Sequence, residues 1–208
     1  MIHAIELAIR TSCDSRPSKN TFDAAYLCCQ TLSNQQSVFL AARSLLTHGY
    51  TSNILILKTE AKSGYPGYDQ WHRELCDTGI ANDNIVAVPL DDTPSLNTLI
   101  ESQALVAYAK HRRLKTIAVV SSPFHQLRAL MTAVTVALRI YPALSIYSHP
   151  GQTLPWCEEV LHSQGTLKAR RYDLIKEELK RIETYQAKGD LASFNEVIDY
   201  LNQRRKDL

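Results

Sequence analysis

The stretch TIAVVSSPFHQLR places polar side chains directly after an apolar, β-branched run. Residues 116–120 predict a buried strand, and Ser121, Ser122, His125 and Arg128 follow it. Free backbone N–H groups at a helix amino end, two hydroxyls and a guanidinium together suit an anion such as phosphate or carboxylate. This stretch is therefore the first candidate for a ligand-binding site.

The residues after this strand predict a helix that begins at Pro123 and ends near Ile140. Ser122 fits the N-cap and His125 the third helical position. Arg128 follows His125 by three residues, so both lie on neighbouring parts of one helix surface. A simpler interpretation stays open: Ser122 only caps the helix, His125 is a hydrogen-bonded core histidine, and Arg128 pairs with a nearby glutamate.

A second polar group lies in TPSLNTLIES, residues 93–102, in a helix predicted to begin near Asp92. Asn97 and Glu101 are four residues apart and would share a helix face. Asn97 could hold a hydroxyl or a ribose, with Thr98 beside it, and Glu101 could act as a base or a ligand anchor. Alternatively, Asn97 and Thr98 cap the helix locally and Glu101 favours its dipole.

The segment 58–75 is a third candidate. Ser63 is polar, and Gly64 and Gly67 would allow close approach of the backbone to a ligand. The same residues are also typical of an ordinary surface loop. The sequence contains no GxGxxG, Walker A, GxSxG or HExxH motif, so we predict no metal site and name no cofactor.

Short apolar runs alternate with longer helical patterns along residues 23–151, which predicts a parallel sheet with helical crossovers. The predicted strands are 24–29, 54–57, 85–88, 116–120 and 144–147. The fold class is α/β: Rossmann-like and doubly wound, with a mainly parallel five-stranded sheet and a C-terminal helical extension. In the strand order 3-2-1-4-5, the ligand crevice lies between the first and fourth strands. Gln30, which follows the first strand, would then line the crevice.

Two further segments flank this domain. Residues 1–22 predict an N-terminal helical segment. Residues 152–208 predict a helical extension, with a highly charged helix over 166–186 and a second helix over 191–204. The mixed charges of the first helix predict a solvated face, and the two helices could mediate a homodimer.

The composition excludes several partners. The formal net charge is +2 with both signs interspersed, which gives no electrostatic basis for binding nucleic acid or a membrane surface. The longest strongly apolar stretch without charge, residues 129–138, is too short to span a bilayer. The five cysteines show no metal-binding spacing. We expect a cytoplasmic protein with a small, anionic ligand.

The chain resembles the ElyC/SanA/YdcF family, also known as domain of unknown function 218. Its "TS..H..RA" element is matched by Ser121, Ser122, His125, Arg128 and Ala129, and its "NT..E" element by Asn97, Thr98 and Glu101. The segment FDAAYLCCQ, residues 22–30, aligns with the family's first strand, although cysteines stand where the family usually has glycines. The resemblance implies a Rossmann-like fold with a helical addition and a pocket at the strand ends for a nucleotide-like or phosphorylated small molecule.

Two functions fit these residues. The first is an enzyme in which Arg128 and the helix end hold the anion, His125 is the general acid or base, and Glu101 orients His125 or the substrate. The second is a non-catalytic module that binds a nucleotide or S-adenosylmethionine and signals through its C-terminal helices.

Overall fold

The computed structural model of the chain describes residues 2–17, 19–162 and 165–204. Among these residues, one five-stranded sheet is built from β1 (Ala24–Leu27), β2 (Ile54–Lys58), β3 (Ile85–Pro89), β4 (Thr116–Val120) and β5 (Ser145–Ser148). The strand order is β3-β2-β1-β4-β5 and every pairing is parallel. The predicted Rossmann-like α/β fold and the predicted strand order are confirmed.

Helices cover both faces of this sheet, which is why its strands are almost wholly apolar. The helices are α1 (Ile2–Ser12), α2 (Gln35–Thr47), α3 (Tyr68–Asp77), α4 (Thr98–Arg112), α5 (Gln126–Ile140), α6 (Arg171–Ala187) and α7 (Phe194–Arg204). Right-handed crossovers place α2 and α3 on one face and α4 and α5 on the other. Between α2 and α3, the rings of Phe39 and Trp71 pack edge to face with their centres 5.1 Å apart.

Helix α4 begins later than predicted. Its N-cap is Asn97, whose side-chain oxygen accepts hydrogen bonds from the backbone N–H groups of Leu99 and Ile100, each at 3.0 Å. Asp92 lies in the preceding loop instead. A bidentate cap satisfies two otherwise unpaired donors, and this decides where the helix begins.

Helix α5 also begins later than predicted, at Gln126 rather than Pro123. The residues before it form a turn in which the backbone N–H of His125 donates to the carbonyl of Ser122 at 2.9 Å. The Ser122 hydroxyl caps no helix and donates instead to Gln30 Oε1 at 2.7 Å. The predicted N-cap role of Ser122 is therefore wrong, because the side chain has a buried partner elsewhere.

The C-terminal extension contains an antiparallel hairpin that the sequence did not predict. It consists of β6 (Glu159–His162) and β7 (Leu167–Arg170), and α6 follows directly. The helix predicted from Thr166 therefore begins at Arg171. Burial alternates along β6, with Val160 and His162 facing inward, so a four-residue strand pattern was present but too short to recognise.

The N- and C-terminal segments close over the strand at the sheet edge. In a buried ion pair, Arg204 Nη2 lies 2.5 Å from Asp14 Oδ1. The guanidinium also stacks over the ring of Tyr147, 3.8 Å from its centre. Within the described part of the N-terminal segment the helix is α1, and it packs against α5 and α7. None of the described helices is long and apolar enough to cross a membrane.

Candidate active site

A cavity of about 290 Å³ lies at the carboxyl ends of the strands, where the strand order reverses between β1 and β4. This is the predicted crevice. Seven of the predicted site residues line it: Gln30, Ser63, Asn97, Thr98, Glu101, His125 and Arg128. In the described part of the chain, the cavity is also lined by seven residues that were not predicted: Cys29, Thr31, Tyr65, Leu96, His162, Arg181 and Tyr185.

A buried carboxylate from α6, Glu178, organises one wall of the cavity. Its Oε2 lies 2.6 Å from His125 Nδ1 and accepts a hydrogen bond from Arg128 Nε at 2.7 Å. Its Oε1 lies 2.9 Å from His162 Nε2 and 3.2 Å from Arg128 Nη2. The carboxylate thus joins His125 and Arg128, which are three residues apart, to His162 on β6.

The charge states in this cluster follow from burial and from these contacts. Burial lowers the pKa of His125 to about 4 and outweighs the attraction of Glu178, so the imidazole is neutral at pH 7. Burial would raise the pKa of Glu178, but the neighbouring His125 and Arg128 and the hydrogen bonds from both histidines hold it well below its usual range. An ionised Glu178 therefore accepts from Nδ1–H of His125, which leaves Nε2 of that ring with a lone pair.

Glu101 has a different environment from the one that the sequence suggested. Its Oε1 accepts hydrogen bonds from the Tyr26 hydroxyl at 2.9 Å and from the backbone N–H of Cys29 at 2.5 Å. Burial raises its pKa to about 7, despite the opposing effect of those hydrogen bonds. The group that orients His125 is Glu178, so Glu101 does not orient that histidine. Glu101 lines the cavity, and its predicted role toward the substrate, as a base or ligand anchor, stays a prediction.

Ser121 and Ser122 lie behind the cavity wall rather than on it. Gln30 joins them: its Nε2 donates to Ser121 Oγ at 3.2 Å, and its Oε1 accepts from the Ser122 hydroxyl. The backbone N–H of Ser121 is also satisfied, by Gln126 Oε1 at 2.7 Å. These serines fix the turn that positions His125, and their polar groups are used within the protein. The predicted direct contact of both serines with a ligand is not supported.

Asn97 and Thr98 combine the two roles that the sequence left open. Asn97 caps α4, and Thr98 Oγ1 accepts a hydrogen bond from Arg128 Nη1 at 2.8 Å. With two bonds to Glu178 and one to Thr98, the Arg128 guanidinium is held in one orientation. The simpler interpretation of Arg128 as the partner of a glutamate is therefore correct for its main contact, and the partner is Glu178.

The three predicted residues of the β2–α3 loop have separate positions. Ser63 lines the cavity, and its Oγ accepts from the backbone N–H of Leu96 at 3.0 Å. Gly64 has a φ of +82°, and a Cβ there would lie 2.7 Å from the backbone nitrogen of Gly165 in the hairpin turn. Gly67 precedes α3 and lies outside the cavity, where a Cβ would lie 2.8 Å from the backbone nitrogen of Ala61. Both glycines thus allow backbone to approach backbone, rather than backbone to approach a ligand.

The sequence did not identify His162 or Glu178, which complete the cluster. One signal was present for Glu178: it shares a helical stripe with the buried residues Leu174 and Ile182, each four positions away. An acidic residue on an apolar stripe indicates a buried partner. His162 lies on a strand of four residues, and nothing in its local sequence marks it.

The same residues could in principle hold a metal. Ligand atoms of His125, His162 and Glu178 lie within 4.8 Å of one another and are buried. However, Arg128 approaches both carboxylate oxygens of Glu178 and lies 3.2 Å from His125 Nδ1. A guanidinium against both oxygens takes the place of a cation, so the donor set fits a hydrogen-bonded cluster better than a metal centre.

The fold and the cavity define a Rossmann-like α/β protein with a buried His–Glu pair at the topological switch point. In comparisons with known proteins, neither a family model, nor a curated protein, nor a solved structure matches this chain. The resemblance to the ElyC/SanA/YdcF family therefore stays a prediction from the two short motifs.

Proposed function

We propose that the protein is an enzyme that acts on a phosphorylated or nucleotide-like small molecule bound at the carboxyl ends of the strands. The observation that carries this proposal is the 2.6 Å contact between His125 Nδ1 and the buried Glu178 carboxylate at the cavity wall. A carboxylate that fixes one ring nitrogen sets the tautomer and leaves the other nitrogen as a proton acceptor.

The charges on the cavity wall favour an anionic ligand. Among the described lining residues, Arg128 and Arg181 are cationic, and the one carboxyl group, Glu101, has its pKa raised to about 7. The charge of Arg128 is already balanced by its close contacts with Glu178. Arg181 supplies the more available positive charge, because its side chain is 27% exposed and its Nη1 lies 3.8 Å from Glu178 Oε1. A protonated Glu101 can donate a hydrogen bond to an anionic oxygen, which is a second way to hold a phosphate.

The location and family remain proposals. All five cysteines are free thiols among the described residues, which supports a reducing compartment such as the cytoplasm. Membership of the ElyC/SanA/YdcF family would agree with a nucleotide-like ligand, because both motifs of the resemblance contribute residues to the cavity: His125 and Arg128 from one, and Asn97, Thr98 and Glu101 from the other.

A non-catalytic binding module is the second candidate, and one observation favours it. Helix α6 contributes Arg181 and Tyr185 to the cavity wall, so a bound ligand would contact the C-terminal extension directly. The same helix exposes Tyr172, Ile175 and Leu179, a stripe through which the protein could form the expected homodimer. This candidate predicts ligand binding without product.

The test combines a thermal-shift screen with turnover assays on wild type, His125→Gln and the control His111→Gln, whose side chain is exposed at the end of α4. The screen covers nucleotides, S-adenosylmethionine and sugar phosphates. A ligand at one hundred times its dissociation constant should raise the melting temperature by about 5–10 °C. We expect His125→Gln to keep this shift and lose turnover by about 100- to 10,000-fold, with His111→Gln unchanged. Binding without product in wild type would support the module instead.

A further inference from the structure

His162 occupies a place in the cluster that the proposed function does not use. It lies on β6, lines the cavity, and contacts Glu178 Oε1 through Nε2 at 2.9 Å. Its ring centre lies 5.7 Å from that of His125 and 5.0 Å from that of Phe124, which supports it edge-on. Two imidazoles therefore stand side by side on one carboxylate, with one on each of its oxygens.

Each imidazole has a second ring nitrogen that does not contact Glu178. No described residue is hydrogen-bonded to Nε2 of His125 or to Nδ1 of His162. Both rings line the same cavity, so a ligand bound there can approach these two nitrogens.

The contacts of Arg128 indicate chemistry without a metal ion. Its guanidinium binds both oxygens of Glu178 and donates to Thr98 at 2.8 Å, so it already neutralises the carboxylate. A divalent ion ligated by the two histidines and Glu178 would have to stand beside this fixed positive charge. Two imidazoles supported by an arginine-bound carboxylate can instead give and take protons.

We propose that the cavity is a metal-independent phosphoester hydrolase centre with His125 as general base and His162 as general acid. The inference rests on the proposed function and names its reaction. Nε2 of His125 accepts a proton from a water molecule as the water oxygen bonds to phosphorus. The bond from phosphorus to the ester oxygen breaks, and that oxygen takes the Nδ1 proton of His162 in its protonated form. Ester and water become alcohol and phosphate, and solvent returns each histidine to its starting state.

The leaving group distinguishes a general acid from a residue that only shapes the site. p-Nitrophenolate leaves without being protonated, whereas the ribose oxygen of adenosine 5′-monophosphate needs a proton. We expect His162→Gln to reduce cleavage of the nucleotide by at least about 100-fold and cleavage of p-nitrophenyl phosphate by less than about tenfold. His125→Gln should reduce both, and the control His111→Gln neither.

Equal losses with both esters in His162→Gln would overturn the assignment of His162, while the loss in His125→Gln would still support the proposed function. Failure of wild type to cleave either ester would overturn the hydrolase, and the ligand screen would then decide the proposed function separately. Loss of activity on chelation with restoration by Zn²⁺ would show a metal centre and also overturn the inference.

A measurement on wild type covers the case in which His162→Gln does not fold. Across a series of phosphate esters, a general acid makes kcat/KM nearly independent of the basicity of the leaving group. A steep decline from aryl to alkyl esters in wild type would therefore refute the role of His162 without any variant.

Discussion

Replacing Glu178 by glutamine tests whether this carboxylate organises the cluster. The side chain is 3% exposed and that of Arg128 is 7% exposed, so both charges are shielded from water. Glutamine keeps the shape but leaves the buried guanidinium without its counter-ion. Breaking a buried ion pair from one side costs about 3–5 kcal/mol of unfolding free energy. For a chain of this length each kcal/mol corresponds to about 2–4 °C, so we expect the melting temperature to fall by about 6–20 °C.

The assay is thermal and urea unfolding of Glu178→Gln beside Glu177→Gln, its neighbour on α6. Glu177 is 35% exposed and pairs with Lys180 at 2.7 Å, a surface interaction that water screens and that contributes little to stability. The control should therefore differ little from wild type. The double variant Arg128→Gln/Glu178→Gln should recover part of the loss, because neither charge remains buried.

Equal, small effects of Glu178→Gln and Glu177→Gln would refute the reasoning, since the buried carboxylate would then contribute no more than a solvated one. A double variant less stable than Glu178→Gln would also contradict it. In that case the guanidinium would be stabilised chiefly by its other contacts.

Two further predictions concern pH and backbone conformation. Because burial raises the pKa of Glu101 from 4.5 to about 7, the folded state binds this proton more tightly, and stability from this group should fall by about 3 kcal/mol as pH rises from about 4.5 to 7. His125 has the opposite effect: its pKa is lowered from 6.5 to about 4, so its contribution to stability is lost as pH falls from about 6.5 to about 4. Urea titrations at pH 5 and pH 8 should give Glu101→Gln a more favourable change over this interval than wild type, and identical changes would contradict the shift. Gly64→Ala should destabilise by about 1–3 kcal/mol from its φ of +82° and further from the contact with Gly165, whereas Gly49→Ala, with a φ of +68° and open space, should show the backbone strain alone. Equal losses in the two alanine variants, measured by urea unfolding, would show that the contact between the loop and the hairpin adds nothing.

The sheet and the place of the site could be predicted from the sequence because both depend on local patterns. The run at 54–57 is wholly apolar and the run at 116–120 is apolar after Thr116, which suits strands that are covered on both faces. Parallel strands bring their carboxyl ends to one edge, so His125, Glu101 and Gln30 could be expected near one crevice although they are far apart in the chain.

The partners of these residues could not be predicted in the same way. A histidine and an arginine three residues apart leave open whether they bind a ligand or a carboxylate. That choice depends on Glu178, which lies 50 positions beyond Arg128, and on His162, which the hairpin brings to the same oxygen pair. The hairpin itself is short, and a four-residue strand carries too little periodicity to be recognised beside a charged helix.

The sequence by itself determined the α/β architecture and the strand ends at which polar residues gather, because hydrophobic periodicity is a property of local segments, whereas the strand order was an expectation that the structure confirmed. Only the tertiary structure decided which polar groups face the cavity and which are used within the protein. Ser121 and Ser122 hydrogen-bond to Gln30 behind the wall, Arg128 binds Glu178, and Gly64 packs against Gly165. The physical reason is that buried polar groups must find partners, and the nearest partner in space is often remote in sequence.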